Sequence, residues 1–292
     1  MGFQLLISNW DKGRHRWRGG LLLTAAAVAA LSGIQTSSWA QRVRVDRFLD
    51  LQSISGDVAF QSGDSSRTAE VGDRLSQVGD GLTTGQSSVA RLAVDTGIGF
   101  VDVSENTQMR IRRMDVAPDN GRITHLDVPQ GQIRIEVRPF THNGSELEIH
   151  TPAGVSSVRG TEFGVTVQPD GKMGVATLEG GVATSAQNQT VEVPEGFQNL
   201  TIPGEPPSPA VPLRDDPTLD VEIRRIIEGG NRRLEFVGQV DPVNLVLVEE
   251  ESQTIDEDGT FTRDFLPIRG TRLQVTVITP LGTRQDYDVA IF

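Results

Sequence analysis

The heptapeptide QIRIEVR, residues 132–138, alternates aliphatic side chains with charged or amide side chains without a break. A period of two residues is that of a β-strand with one buried face, so Ile133, Ile135 and Val137 should share that face. The same alternation recurs at residues 108–112, 147–149, 163–167 and 273–277. Only residues 219–227 have some helical rhythm, and Gly229-Gly230 ends it. We therefore expect an all-β chain.

Pairs of glycine, asparagine and aspartate residues separate these segments. Such pairs accept the positive φ that tight turns require. They occur at Gly79-Asp80-Gly81, Asp119-Asn120-Gly121, Asn143-Gly144, Asp170-Gly171 and Gly180-Gly181. Short strands with a turn roughly every 8–12 residues predict a β-roll or a solenoid-like stack, in which each layer covers the next.

The first 40 residues have the composition of an export signal. Four bases and one acid precede an apolar run from Leu21 to Ile34. Small residues then occupy Ser38 and Ala40, the two positions that a signal peptidase reads. The run is shorter than the roughly 20 residues that cross a membrane as a helix. We expect residues 1–40 to be a signal peptide cleaved after Ala40, which leaves the mature chain periplasmic or extracellular. An uncleaved N-terminal anchor is the alternative.

The chain is acidic, with 27 Lys and Arg against 39 Asp and Glu and a net charge of −12. Without residues 1–40 it keeps 23 bases and 38 acids, a net charge of about −15. Such a surface repels nucleic acid and anionic lipid, so neither is an expected partner. There is no cysteine, which excludes disulfides and thiolate metal sites. No later segment suggests a membrane span, and no cofactor is indicated.

Six prolines between Pro203 and Pro217 mark a change in composition. Proline has no donor for a β-ladder and favours extended backbone, so this segment is typical of a semi-rigid linker. We expect a first domain over residues 43–202, a linker over 203–217 and a second domain over 218–292.

One long motif dominates the first domain. Residues 151–165 read TPAGVSSVRGTEFGV, which resembles the "TP.a...vRGT.F.v" hallmark of the FecR family of periplasmic ferric-citrate sensor and regulator domains. Other family elements occur in the expected order, as VGDRL at 71–75, VGDGLTT at 78–84, VSENT at 103–107 and LEGGV at 178–182. The resemblance covers essentially the whole first domain and implies a twisted, solenoid-like β architecture.

The hallmark residues also have physical explanations of their own. Pro152 closes a strand because its nitrogen cannot donate. Gly160 allows a corner that a side chain would block, and Phe163 begins an alternating strand that points into the core. We expect the whole set to be structural, namely Thr151, Pro152, Arg159, Gly160, Thr161 and Phe163. Arg159 remains open, because a guanidinium beside a tight turn can either hold carbonyl groups or face a ligand.

The chain departs from the family before its apolar run. Classical FecR proteins resemble two-compartment relays, in which a cytoplasmic segment engages a sigma factor. Here residues 1–20 precede the run, too few to build an interface of the usual ~800 Å² per partner. We therefore expect the domain without the sigma-regulating half.

The second domain resembles small bacterial Ig-like modules. The resemblance rests on DEDGTF at 256–261, LPIRG at 266–270 and YDVAI at 287–291. It implies a small β-sandwich.

The sequence indicates neither catalysis nor a metal site. His125, His142 and His150 lack ligand spacing, and we interpret them as surface or turn residues. No G-x-S-x-G elbow accompanies the serines. Acidic residues at 249–251 and 256–258 are the best calcium candidate, but they lack the spaced ligands of an EF-hand. A charged turn that keeps a sheet edge soluble is the favoured interpretation.

Four arginines form the candidate interaction patch, namely Arg110, Arg112, Arg134 and Arg138. Each pair projects from one strand face, and alignment of the two faces would concentrate positive charge in an acidic protein. Arginine binds carboxylates through two hydrogen bonds, which suits citrate-like or uronate ligands. The alternative is a solvated face whose arginines pair with Glu136 and neighbouring acids.

These observations predict a non-catalytic, exported binding protein of the cell envelope, with an envelope protein or glycan as partner. A sensor of envelope or iron-uptake signalling, acting through a separate membrane partner, is the alternative. A carbohydrate-active enzyme is a distant third.

Overall fold

The computed structural model describes residues 47–228, 231–265 and 272–290. The predicted export signal and its cleavage after Ala40 lie outside these residues. Every regular element in the described part of the chain is a β-strand, including the segment with helical rhythm. The prediction of an all-β chain is confirmed. In the described residues no helix is long and apolar enough to cross a membrane.

The strands of the first part of the chain are β1 (Leu49–Ser55), β2 (Val58–Ser62), β3 (Ser65–Thr68), β4 (Arg74–Leu75), β5 (Gly81–Thr84), β6 (Val89–Val94), β7 (Gly99–Val103), β8 (Gln108–Val116), β9 (Arg122–Val137), β10 (Glu146–His150), β11 (Val155–Val158), β12 (Glu162–Val167), β13 (Met173–Glu179), β14 (Gly181–Ala186), β15 (Gln189–Pro194), β16 (Phe197–Thr201) and β17 (Val211–Pro212). The second part contains β18 (Asp220–Glu228), β19 (Asn231–Gln239), β20 (Leu245–Val248), β21 (Glu251–Gln253), β22 (Thr260–Phe265), β23 (Arg272–Ile278) and β24 (Arg284–Ala290).

The first part folds as two sheets that share one strand. Sheet A runs β4-β1-β6-β7-β9-β12-β13-β16-β17. Sheet B runs β3-β2-β5-β8-β9-β10-β11-β14-β15. Successive single strands or strand pairs belong alternately to sheet A and sheet B. Each one extends its sheet, and together the two sheets form a roll. All pairs are antiparallel except β9 with β10, which are parallel.

Strand β9 crosses from sheet B to sheet A at Gly131. Its first part pairs with β8 and β10, and its last part pairs with β7 and β12. Gly131 has φ +100°, and a Cβ there would lie 2.6 Å from the Cβ of Thr107. The buried positions change phase at this point, from Leu126 and Val128 to Ile133 and Ile135. Glycine therefore makes a corner at which one strand serves both sheets.

A single hydrophobic core lies between sheets A and B. Side chains from both sheets contribute, among them Leu49 and Phe163 from sheet A and Leu126 and Ile149 from sheet B. Because both sheets turn their apolar face inward, their outer faces point away from each other on opposite sides of the core.

The second part is a small β-sandwich. One sheet runs β18-β19-β22 and the other β21-β20-β23-β24. They enclose a separate core that includes Phe236, Val246, Phe261 and Val275. This agrees with the predicted sandwich, and its Ig-like character stays a prediction.

The sandwich packs on the outer face of sheet A. Gly164 and Gly174 face the sandwich backbone, and a Cβ at Gly164 would lie 2.9 Å from the nitrogen of Leu281. Polar side chains of sheet A donate to sandwich carbonyl groups, as Gln132 does to Pro280 at 2.7 Å and Lys172 to Ile255 at 2.8 Å. All described residues accordingly lie in one compact unit.

The proline-rich segment is held at several points. Ser208 donates to the carbonyl of Leu200 at 2.9 Å, and Leu213 donates to that of Gly196 at 2.7 Å. The carboxylate of Asp215 accepts from Thr283 at 2.8 Å. Residues 203–206 are the longest run of consecutive exposed residues in the segment. The domain boundaries at 202 and 218 stay a prediction.

Limited proteolysis tests these boundaries. We expect a protease of broad specificity to cut first within residues 203–206, because backbone that is exposed and little bonded opens most easily. Mass spectrometry of the early fragments should show one ending and one beginning there. First cuts within residues 150–180 would contradict the domain map.

Candidate functional site

The hallmark motif forms two consecutive turns of the roll. After β10, Thr151 bonds to Gly154 in both directions: its backbone N–H donates to the Gly154 carbonyl at 2.9 Å, and its Oγ1 accepts from the Gly154 N–H at 3.2 Å. After β11, Thr161 Oγ1 donates to the carbonyl of Gly181 at 3.0 Å. Arg159 donates to the carbonyl of Asn143 at 2.8 Å. These contacts favour the structural interpretation of the motif, which substitutions have yet to test.

The four candidate arginines are divided between the two sheets. Arg110 and Arg112 lie on β8 in sheet B, and Arg112 pairs with Asp127 at 3.1 Å. Arg134 lies on β9 in sheet A, where it pairs with Glu162. Arg138 follows the end of β9. The corner at Gly131 lies between the two pairs of arginines. Arg110 and Arg112 therefore do not share a face with Arg134 and Arg138, and the four residues do not form one patch.

Arg138 lines a cleft with two other arginines, which we call the arginine cleft. It lies where β6 and β8 end and where β9 and β10 begin, and its volume is about 320 Å³. Its lining consists of Arg47, Val94, Ile98, Val116, Asn120, Arg122, Thr124, Arg138, Pro139, Phe140, Thr141, His142, Ser145 and Leu147. Three of these residues are arginines and none is an acid.

One buried carboxylate orients two of these arginines. Asp95 accepts from Arg47 at 2.9 Å and from Arg122 at 3.1 Å. Arg47 also donates to the carbonyl of Asp115 at 2.8 Å and to Thr124 at 2.7 Å. No described residue pairs with the guanidinium of Arg138, which is exposed. With three cations and one anion, these groups carry a net positive charge.

The acidic segments of the sandwich are engaged in local contacts. Glu249 accepts from the backbone of Gln274 at 2.7 Å, and Glu251 pairs with Arg263 at 2.8 Å. The pKa of Asp258 is lowered because it accepts from the backbone and the side chain of Thr260. Within the described ranges these acids do not converge in the way a calcium site requires.

Sequence spacing missed a cluster on the outer face of sheet B. His125, Glu148 and His150 bring one ligand atom each within 4.8 Å of the others. Glu148 and His150 are two apart on one strand, which places them on the same face. His125 joins them only through the pairing of β9 with β10. The third histidine, His142, lies outside the cluster.

Comparison with known proteins identifies the first part of the chain. Residues 80–183 match the family model described as FecR protein. These residues are a FecR domain. The match confirms, for residues 80–183, the resemblance seen in the sequence, and it supports a role related to envelope signalling or its regulation.

Two solved structures are similar to part of the chain. Both are described as a "putative anti-sigma factor from Parabacteroides distasonis ATCC 8503", at 1.65 Å and 2.50 Å. Each is 17% identical, with a TM-score of 0.37, and the match covers 46% of this chain and 59% of the other. A likeness this partial assigns no function. No curated protein matches the chain.

Proposed function

We propose that the protein is a non-catalytic binding module of the cell envelope, and that it recognises a carboxylate-bearing ligand in the arginine cleft. The observation that carries this proposal is the lining of the cleft, with three arginines and no acid. The chain as a whole has a net charge of −12. A local excess of positive charge in such a protein is a suitable site for an anion.

The cleft offers arginine in a form that suits carboxylates. Guanidinium binds a carboxylate through two parallel hydrogen bonds, and this geometry adds specificity to charge. Asp95 holds Arg47 and Arg122 in place. Arg138, which has no described partner, is free to bind an incoming group. The apolar side chains of Ile98 and Phe140 beside it provide a surface for the carbon skeleton of a ligand.

The FecR domain favours a second candidate function. Members of this family are regulatory proteins, which supports a non-catalytic role and is compatible with a sensor that acts through a separate membrane partner. In that case the arginine cleft is the site at which the sensor binds its ligand. The two functions differ in whether the bound protein engages a membrane protein.

Charge reversal at Arg138 tests the cleft. We expect wild-type protein to bind citrate or a short galacturonate oligomer in isothermal titration calorimetry. Arg138→Glu should lower the affinity roughly 10- to 100-fold, because a charge-assisted hydrogen bond contributes about 1.5–3 kcal/mol. Arg110→Glu is the matched control, since Arg110 is also exposed, has no described side-chain partner and lies away from the cleft.

Two results would count against the cleft. Failure of wild-type protein to bind any carboxylate would reject the ligand class, and equal losses in both variants would reject the location. A photoreactive residue in place of Thr141 then separates the two functions in cells. Capture of an inner-membrane protein favours the sensor, and capture of an envelope glycan favours the binding module.

A further inference from the structure

The cluster on sheet B is built from two parallel strands. His125 on β9 lies directly opposite Glu148 on β10, and Glu146 and His150 are the next outward residues on either side of Glu148. Between them Leu126, Leu147 and Ile149 point into the core. The strands beneath the cluster are thus anchored by buried side chains, which fixes the relative positions of the four outward groups.

Imidazole nitrogens and carboxylate oxygens converge on a small space. Glu148 Oε2 lies 2.9 Å from His150 Nε2 and 3.5 Å from His125 Nε2. Glu146 Oε1 lies 2.9 Å from His125 Nε2. The two imidazole rings are 5.4 Å apart between centroids. The side chains are between 12% and 35% exposed, so water reaches the cluster only partly.

These separations are close to those around a tetrahedral metal ion. Zinc lies about 2.0–2.1 Å from histidine nitrogen and about 2.0–2.2 Å from carboxylate oxygen, so two of its ligands are roughly 3.3–3.5 Å apart. The distance of 3.5 Å from His125 to Glu148 already has this value. The contact of 2.9 Å between Glu148 and His150 needs only to open by a few tenths of an ångström.

We infer that His125, Glu148 and His150 bind a divalent first-row transition metal. Two imidazole nitrogens with carboxylate oxygens suit Zn²⁺ and its neighbours, whereas Mg²⁺ and Ca²⁺ prefer oxygen ligands alone. The site uses none of the residues that line the arginine cleft, and it does not depend on the proposed function.

The surroundings of the cluster are compatible with a cation. Two arginines lie nearby: Arg112 pairs with Asp127 at 3.1 Å, and Arg113 pairs with Asp115 at 2.8 Å and lies 4.0 Å from Glu146.

Zinc binding to the intact protein tests the inference. Untagged protein from the envelope of cells that export it, freed of metal with a chelator, is titrated with ZnCl₂ in a calorimeter. We expect one strong site per chain. His125→Ala and His150→Ala should each weaken it at least about tenfold, since each removes a ligand. His142→Ala should leave it unchanged, because His142 is exposed and outside the cluster.

Two further measurements guard against unfolding as an explanation. Circular dichroism should show that the alanine variants keep their melting temperature, and Glu148→Gln removes the central carboxylate with little change in volume. X-ray absorption of the zinc form should give only nitrogen and oxygen ligands at about 2.0–2.2 Å. The absence of zinc binding would overturn the inference, as would binding that survives Glu148→Gln and both alanine substitutions.

Discussion

Phe163→Ala is expected to lower the free energy of unfolding by about 3–5 kcal/mol. The ring is fully buried in the core between the two sheets. Its strand β12 lies between β9 and β13, where Phe163 is opposite Ile135 on one side and Thr177 on the other. The neighbours are therefore held by their own ladders and cannot collapse into the cavity. Such a loss is a large share of the 5–15 kcal/mol that is typical of a domain.

Urea denaturation followed by circular dichroism measures this loss. All three tryptophans precede residue 41, so fluorescence of a chain cleaved after Ala40 would report little. Phe100→Ala is the matched control, because Phe100 lies on the same sheet with 36% of its surface exposed. It contacts Arg91 at 4.1 Å, a contribution of about 0.5–1 kcal/mol. Equal losses at the two positions would contradict a structural role for Phe163.

Gly160→Val should be about as harmful as the loss of Phe163. Gly160 has φ +115°, which a β-branched residue adopts only with strain of about 1–3 kcal/mol. A Cβ there would also lie 2.7 Å from the nitrogen of Pro139, closer than such atoms approach. Because both the backbone angle and the space oppose a side chain, we expect this variant to yield little folded protein.

Gly72→Val separates the two causes. Gly72 also has positive φ outside the left-handed α region, at +96°, but no atom lies within 4 Å of the position that its Cβ would take. It should therefore show the strain without the collision and remain folded. If Gly72→Val and Gly160→Val lower the melting temperature equally, the close approach of Pro139 has no part in the effect.

Alternation of side chains predicted four strands of the roll, in β8, β9, β10 and β12. Ile133, Ile135 and Val137 are buried as QIRIEVR indicates. The change of phase between Val128 and Ile133, with Gly131 between them, is also present in the sequence and is a usable sign of a corner. The segment 219–227 forms a strand despite its rhythm, because β18 pairs with β19. Tertiary pairing overrode a weak local preference there.

Prediction of the candidate sites depends on which residues lie opposite each other on paired strands. Local sequence patterns do not give this register. Arg134 and Arg112 both point outward, as alternation predicts, but they lie on opposite sides of the core. Glu148 and His150 could be placed on one face from their spacing. His125 lies beside them only because β9 pairs in parallel with β10, with paired residues 23 positions apart in the sequence. No local signal gives that offset.

The glycines on the outer face of sheet A have a practical consequence for anyone who studies the FecR domain alone. A fragment that ended at residue 202 would expose to water the bare backbone at Gly164 and Gly174. Gln132, Gln168 and Lys172 would at the same time lose the carbonyl groups that accept their hydrogen bonds. Antibodies or small molecules selected against such a fragment would include binders to a surface that the intact protein keeps covered.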